Sequence, residues 1–137
     1  MSKLPADHVC MRAVAAFNAN DPAAFEALFT PGIKRHDLAR VIDDFAGREH
    51  VSGFLNLLRT ALPDLHIEVE DAFATDDRVA LRLTFSGTHE GELLGAAPTG
   101  KRIAFTGVNL YRLEDGKIAE TWQLTDWAGA LRQASAS

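Results

Sequence analysis

The hydrophobic residues of this 137-residue chain change their spacing close to Pro63, and this change constrains the fold more than any other feature. Before Pro63, apolar residues recur three or four positions apart, as on one face of an α-helix. After it they alternate with polar residues, as in half-buried β-strands. Helices therefore come first and strands later, which predicts an α+β fold with helices packed on one face of a curved, mostly antiparallel sheet.

Three helices are expected in the first half of the chain. The first covers residues 8–20, and the second begins at Pro22, with Asp21 as its N-cap, and ends near residue 29. The third covers about residues 48–62 and stops before Pro63. Residues 33–45 have a mixed pattern, which indicates a short strand followed by a loop.

Four strands are expected in the second half, at about residues 65–70, 79–85, 102–113 and 118–125. A turn at Asp76-Asp77 separates the first two. The glycines and Pro98 make residues 91–100 a loop, and residues 126–133 have the pattern of a short terminal helix. A chain of this length is expected to form one domain over residues 1–137.

Charge and composition exclude several classes of function. Fourteen basic and nineteen acidic residues give a formal charge of −5 without a Lys/Arg cluster, so no nucleic-acid partner is expected. A single cysteine, Cys10, fits a reducing compartment. No apolar run is long enough to be a membrane span, and we expect a cytoplasmic protein. The five histidines lack short ligand spacings, so neither a metal site nor a cofactor is predicted.

Several motifs carry a family resemblance. GTHEGELLGAAPTGK at residues 87–101, YRLEDGKI at residues 111–118 and the E-x-W-x-x-x-D ending at residues 120–126 resemble the SnoaL-like polyketide cyclases of the NTF2-like superfamily. AVAAFNANDPAAFEALF, followed by RHD, resembles the opening of the same superfamily, particularly of ketosteroid isomerase. The resemblance implies a conical α+β barrel with a pocket at one end. This fold hosts several chemistries, so the pocket residues must decide the function.

The same resemblance indicates candidate catalytic residues. Asp37 lies where ketosteroid isomerase keeps its general base, although His36 and Asp37 fit equally well a solvated turn with an Asx-type hydrogen bond. The tyrosine of that enzyme is replaced by Ala13, and its protonated aspartate by Asn109. The cyclase pattern has an acid at Gln123, and glutamine cannot exchange a proton. One ionisable residue, Asp37, would thus face two amides.

The hairpin at residues 111–118 has two possible registers. A two-residue Asp-Gly turn pairs Leu113 with Ile118 and places Asn109 opposite Trp122. A three-residue Glu-Asp-Gly loop with a bulge places Asn109 opposite Thr121 instead. We favour the second because it agrees with the pocket positions of the family. Its inner face carries Phe105, Asn109, Tyr111, Thr121 and Gln123, and its outer face carries Val108, Leu110, Trp122 and Leu124.

These residues lead to a predicted ligand and a predicted partner. The small hydrophobic or polyketide-like ligand is expected to contact Phe17, His36, Phe54, Leu58, Phe105, Tyr111 and Thr121. The apolar outer face predicts a homodimer, unless the terminal helix folds over it.

Three functions are compatible with this set. The first is a cyclase- or isomerase-type enzyme that transfers a proton through Asp37, while Asn109 and Gln123 hold substrate oxygens. The second is a non-catalytic module that binds a hydrophobic ligand, because the family acid and tyrosine are absent. The third is an epoxide hydrolase, which needs two carboxylates joined by an arginine. Arg82 and Arg102 are expected to point away from the inner face, which disfavours this third function.

Overall fold

Three helices precede the main run of strands, as the sequence pattern predicts. The structure, a computed structural model, describes residues 4–135. Its helices are α1 (Val9–Asn18), α2 (Pro22–Glu26), α3 (Arg48–Ala61) and α4 (Trp127–Ser135). The predicted cap of α2 is confirmed, since the backbone N–H of Ala24 donates to Oδ1 of Asp21 over 3.1 Å. No helix within the described residues is long and apolar enough to cross a lipid bilayer.

The strands form one six-stranded, curved sheet that matches the predicted fold class. They are β1 (Phe29–Asp37), β2 (Phe45–Ala46), β3 (His66–Thr75), β4 (Arg78–Thr88), β5 (Arg102–Glu114) and β6 (Lys117–Thr125). Their spatial order is β2-β1-β6-β5-β4-β3. Only β1 and β6 pair in parallel, and the other neighbours are antiparallel.

Strand β1 is longer than the sequence pattern indicates. It begins at Phe29, so α2 ends three residues before the predicted position, and it continues to Asp37. Ile33, Arg35 and Asp37 are all buried on one face of this strand. The RHD segment is therefore the end of a buried strand, and the prediction of a solvated turn at this segment is wrong.

Both predicted hairpin registers are wrong beyond the turn, although the predicted faces are confirmed. The turn has two residues with positive φ, Asp115 at 51° and Gly116 at 77°, so the two-residue turn and its Leu113–Ile118 pair are confirmed and the favoured three-residue loop is wrong. A bulge in β6 then shifts the pairing, so that Asn109 lies opposite Gln123. This partner differs by two residues from the favoured prediction, and an even shift leaves every side chain on its predicted face.

The outer face of the sheet stays uncovered within the described chain. Val108, Leu110 and Leu124 are 40%, 43% and 49% exposed, so α4 does not fold over them. Helix α4 instead begins beside the inner face, where Trp127 is buried, and its Gln133 bonds the backbone of Ala104. The alternative in which the terminal helix covers the outer face is thus contradicted.

Candidate ligand-binding site

A mainly apolar cavity lies between the helices and the inner face of the sheet. Its volume is about 90 Å³, smaller than the cavity of about 150 Å³ that holds benzene in an engineered protein. Its buried walls include Ala13, Phe17, Phe25, Phe29, Leu83 and Phe85. The apolar lining side chains that are only half-buried are Val14, Phe45, Phe54, Leu55, Leu58 and Ile67. These half-buried residues form the mouth, and even a ligand with one aromatic ring requires them to move apart.

The cavity has one polar region, on strands β1, β5 and β6. There, Nε of Arg35 donates to Oε1 of Gln123 over 2.8 Å, and Nδ2 of Asn109 donates to the Tyr111 hydroxyl over 2.9 Å. Burial raises the pKa of Tyr111 above its ordinary range, so its hydroxyl stays protonated at neutral pH. Three further polar side chains, Thr121, Thr125 and Trp127, also line the cavity.

Several polar atoms of this region have no hydrogen-bond partner in the protein. They are Nη1 and Nη2 of Arg35, Oδ1 of Asn109, Oγ1 of Thr121 and Nε1 of Trp127. Leaving a buried polar atom unpaired costs about 1–3 kcal/mol, and more when the group is charged. Such atoms concentrated around one cavity are the arrangement expected of a site whose ligand supplies the missing partners.

Arg35 is a candidate site residue that the sequence pattern did not indicate. It is 2% exposed, and its Cζ lies 4.4 Å from the ring centroid of Phe54 and 5.4 Å from that of Phe45. Burial lowers the pKa of the Arg35 guanidinium, while the charges of Asp37 and Asp44 raise it. The strand alternation that starts at buried Ile33 was the available signal, since it places position 35 on the inner face.

Asp37 is buried beside Arg35 but does not line the cavity. Its Oδ2 accepts hydrogen bonds from the backbone N–H groups of Val41 and Ile42, over 2.7 and 2.9 Å. Its Oδ1 lies 3.8 Å from Nη2 of Arg35, which is an ionic contact without a hydrogen bond. The carboxylate thus fastens the loop that follows β1 by hydrogen bonds to residues four and five positions on, and not by the predicted Asx-type bond two positions on. It approaches the cavity only through Arg35.

His36 points away from the cavity, because neighbouring residues of a strand face opposite sides. Its ring stacks on Trp122 with centroids 5.5 Å apart, and bonds Glu120 over 2.6 Å and Asp44 over 3.2 Å. The hydrogen bond to Glu120 is the main reason why the pKa of His36 is raised. His36 therefore belongs to a charged cluster on the outer side of the sheet, and its predicted contact with the ligand has no support in its position.

Most of the other predicted site residues do converge on the cavity. Those that line it are Phe17, Phe54, Leu58, Asn109, Tyr111, Thr121 and Gln123. Phe105 does not, because it lies behind Phe85 and Trp127, with ring centroids 5.2 and 5.6 Å away. Ala13, the position at which the resemblance leads one to expect a tyrosine, is part of the wall.

Two carboxylates joined by an arginine are not found at the cavity of the described chain, although Arg112 joins Glu114 and Glu120 on the outer face. Arg35 connects one carboxylate, that of Asp37, with one amide, that of Gln123. Arg82 and Arg102 are exposed, as strand alternation predicted. The chemistry of an epoxide hydrolase, which needs a second carboxylate at this place, therefore lacks one of its groups.

Comparison with known proteins places this fold and site in a family. The sequence profile of the family described as SnoaL-like polyketide cyclase matches residues 8–134. The aklanonic acid methyl ester cyclase DnrD of Streptomyces peucetius is 29% identical over 128 residues, which cover 89% of this chain and 85% of DnrD.

Two solved structures share the architecture. AclR of Streptomyces galilaeus, a candidate hydroxylase, has a TM-score of 0.81 and 31% identity, over 94% of this chain and 80% of AclR. A protein of Catenulispora acidiphila with a ketosteroid isomerase-like fold has a TM-score of 0.81 over 96% of this chain and 95% of that one. Its 18% identity bears on the fold alone. With a profile match over nearly the whole chain, this protein belongs to the SnoaL-like polyketide cyclase family.

Proposed function

We propose that this chain is a cyclase- or isomerase-type protein that binds a cyclic or polyketide-like molecule in the inner cavity. The observation that carries the proposal is an apolar cavity whose unpartnered polar atoms are gathered on β1, β5 and β6. An aromatic or polyketide ligand supplies both an apolar body for the walls and oxygens for these atoms. Asn109 and Thr121 would hold ligand oxygens, while Gln123 holds Arg35.

A proton-transfer step in such an enzyme would fall to Asp37. The lining residues include no carboxylate and no histidine, and Asp37 is the carboxylate that contacts the polar region, through Arg35. Product formation from a poly-β-keto ester that continues unchanged in Asp37→Asn would exclude this role.

The absence of a lining acid is also the specific observation that favours a second function, a module that binds a hydrophobic molecule without converting it. Saturable binding without turnover across a panel of such esters would support that module.

Filling the cavity is expected to weaken ligand binding. Ala13 is 4% exposed in the cavity wall, so the larger side chain of Ala13→Leu takes up space that a ligand ring needs. We expect its affinity for a neutral aromatic ketone such as 2-acetylnaphthalene to fall at least about tenfold relative to the natural chain. Titration calorimetry measures this change.

The matched control is Ala15→Leu, because Ala15 lies on the exposed side of the same helix. This variant is expected to bind the ketone like the natural chain. If the natural chain binds no aromatic or polyketide compound, or if Ala13→Leu binds it equally well, the ligand does not lie in this cavity and the proposed function is wrong.

The outer face supports the proposal of a homodimer. Beside Val108, Leu110, Trp122 and Leu124 lie three further exposed apolar residues, Leu38, Val41 and Phe73, at 49%, 49% and 64% exposure. Exposed Arg78 and Arg82 lie on one side of this surface, and exposed Asp43 and Asp44 lie on the other. A two-fold axis parallel to the strands would bring the basic side of one copy against the acidic side of the second.

A charge placed in the centre of this face is expected to dissociate the dimer. Leu110→Lys introduces a cation that burial against a second copy would desolvate without a partner. In sedimentation velocity we expect a dimer for the natural chain and a monomer for Leu110→Lys. The control Leu57→Lys changes a residue that is 70% exposed on α3 and should remain dimeric. A monomeric natural chain would contradict the proposal.

A further inference from the structure

The guanidinium of Arg35 is held in one orientation by three different contacts. Its face packs on the rings of Phe54 and Phe45, at 4.4 and 5.4 Å from Cζ to the ring centroids. Its Nε edge donates to Gln123 over 2.8 Å. Aromatic contacts use the faces of a guanidinium and leave its edges available for hydrogen bonds. The remaining edge, formed by Nη1 and Nη2, is therefore held in a fixed position without making a hydrogen bond within the protein.

The free edge belongs to a buried side chain that lines the cavity. Arg35 is 2% exposed and lines the cavity, and neither Nη atom has a hydrogen-bond partner in the protein. Arg35 is also the one charged residue among those that line the cavity in the described part of the chain. Water or ligand must supply the acceptors, because an arginine keeps its proton under all ordinary conditions.

Asp37 does not satisfy this edge. Its Oδ1 lies 3.8 Å from Nη2, beyond hydrogen-bond distance, and its Oδ2 is already bonded to two backbone N–H groups. Asp37 thus compensates the charge of Arg35 and leaves its hydrogen bonds open. The neighbouring residue on β6, Thr121, also has an unused hydrogen-bonding group. Thr121 pairs with Arg35 in the parallel register of β1 and β6, and its Oγ1 is buried without a partner.

We propose that the ligand of this cavity carries a carboxylate whose two oxygens accept hydrogen bonds from Nη1 and Nη2 of Arg35. A planar carboxylate matches the two parallel N–H groups of this edge, and such bidentate pairs are among the strongest hydrogen-bonded contacts in proteins. Thr121 can donate to the same group from the adjacent strand. The inference rests on the proposed function, since it requires that the ligand lies in this cavity, and it narrows that ligand from any polyketide-like molecule to an aromatic or polyketide acid.

A matched acid and ester test the proposal on the natural chain. Benzoic acid with methyl benzoate, and 2-naphthoic acid with its methyl ester, share their ring and differ in the anionic oxygen pair. We expect each acid to bind at least about tenfold more tightly than its ester at neutral pH, because the ester carries no charge and its methylated oxygen is a poor hydrogen-bond acceptor. Titration calorimetry gives both affinities.

Variants of Arg35 separate recognition from packing. Arg35→Met keeps an unbranched apolar side chain and should remove the preference for the acid, so that acid and ester bind with affinities within about twofold of each other. Arg35→Lys keeps the charge but loses the planar fork, so a reduced preference should remain. The control Arg82→Met changes an exposed arginine on the outer face and should keep the full preference.

Two results would overturn the inference, and both can be distinguished from a failure of the proposed function. Equal binding of acid and ester to the natural chain, or a preference that survives Arg35→Met, excludes recognition of a carboxylate by Arg35 while leaving a ligand in the cavity. Absence of binding by both compounds of both pairs removes the proposed function and this inference together. If Arg35→Met does not fold, as judged by circular dichroism, the natural chain and Arg35→Lys still decide the question.

Discussion

Asp37→Ala is expected to lower the free energy of unfolding by about 3–5 kcal/mol, the range for removing one partner of a buried ion pair. The substitution removes the negative charge 3.8 Å from Arg35 and leaves that buried guanidinium with only the more distant charge of Asp44 to offset it. It also removes the acceptor of the backbone N–H groups of Val41 and Ile42. Urea unfolding monitored by tryptophan fluorescence measures the change.

The proposed cause of this loss can be isolated with matched variants. Asp43→Ala alters an exposed carboxylate of the same loop and is expected to stay within about 0.5 kcal/mol of the natural chain. The double variant Asp37→Ala with Arg35→Met should lose less than the sum of the two single variants, because no charge remains buried alone. A loss below about 1 kcal/mol for Asp37→Ala would show that the pair is solvated, contrary to its burial.

The order of the helices and of the longer strands followed from hydrophobic spacing and from capping and turn residues, although the two-residue strand β2 was not predicted. The strand faces followed from alternation. Register was harder, because it depends on where an extra residue enters the ladder. The bulge opposite Arg112 and Leu113 leaves no mark in the composition of β6, where Ile118 and Ala119 are both apolar and both buried. The faces were nevertheless predictable, since they depend only on whether the shift is odd or even.

The site residues on regular strands could be predicted from the sequence, whereas a buried charged residue could not. Asn109 and Gln123 were indicated by the family resemblance, and strand alternation then placed Thr121 on the same face. Arg35 was overlooked because arginine is rarely buried, and its burial here depends on two partners distant in sequence, Phe54 and Gln123. Such partners become visible only once the chain is folded.

Gly91→Ala is expected to destabilise the protein by about 3 kcal/mol, the upper end of the usual range for an overpacked site. Gly91 lies against the last turn of α3, where its backbone N–H donates to the carbonyl of Ala61 over 3.1 Å. A Cβ at this position would lie 2.2 Å from the carbonyl oxygen of Thr60, and backbone atoms cannot turn aside as a side chain can. Thermal unfolding followed by circular dichroism measures the loss.

Gly53→Ala is the matched control, since Gly53 lies in the interior of the same helix and a Cβ there meets no atom within 4 Å. Alanine should stabilise α3 there by about 0.5–1 kcal/mol because it restricts the unfolded chain. If the two variants change the stability in opposite directions, the GTHEGE motif requires glycine because the segment after β4 lies so close to α3. A difference in helix propensity would not explain that result. A neutral Gly91→Ala would contradict this explanation. Because α3 supplies Phe54 and Leu58 to the mouth of the cavity, a destabilised contact at Gly91 is also expected to weaken ligand binding.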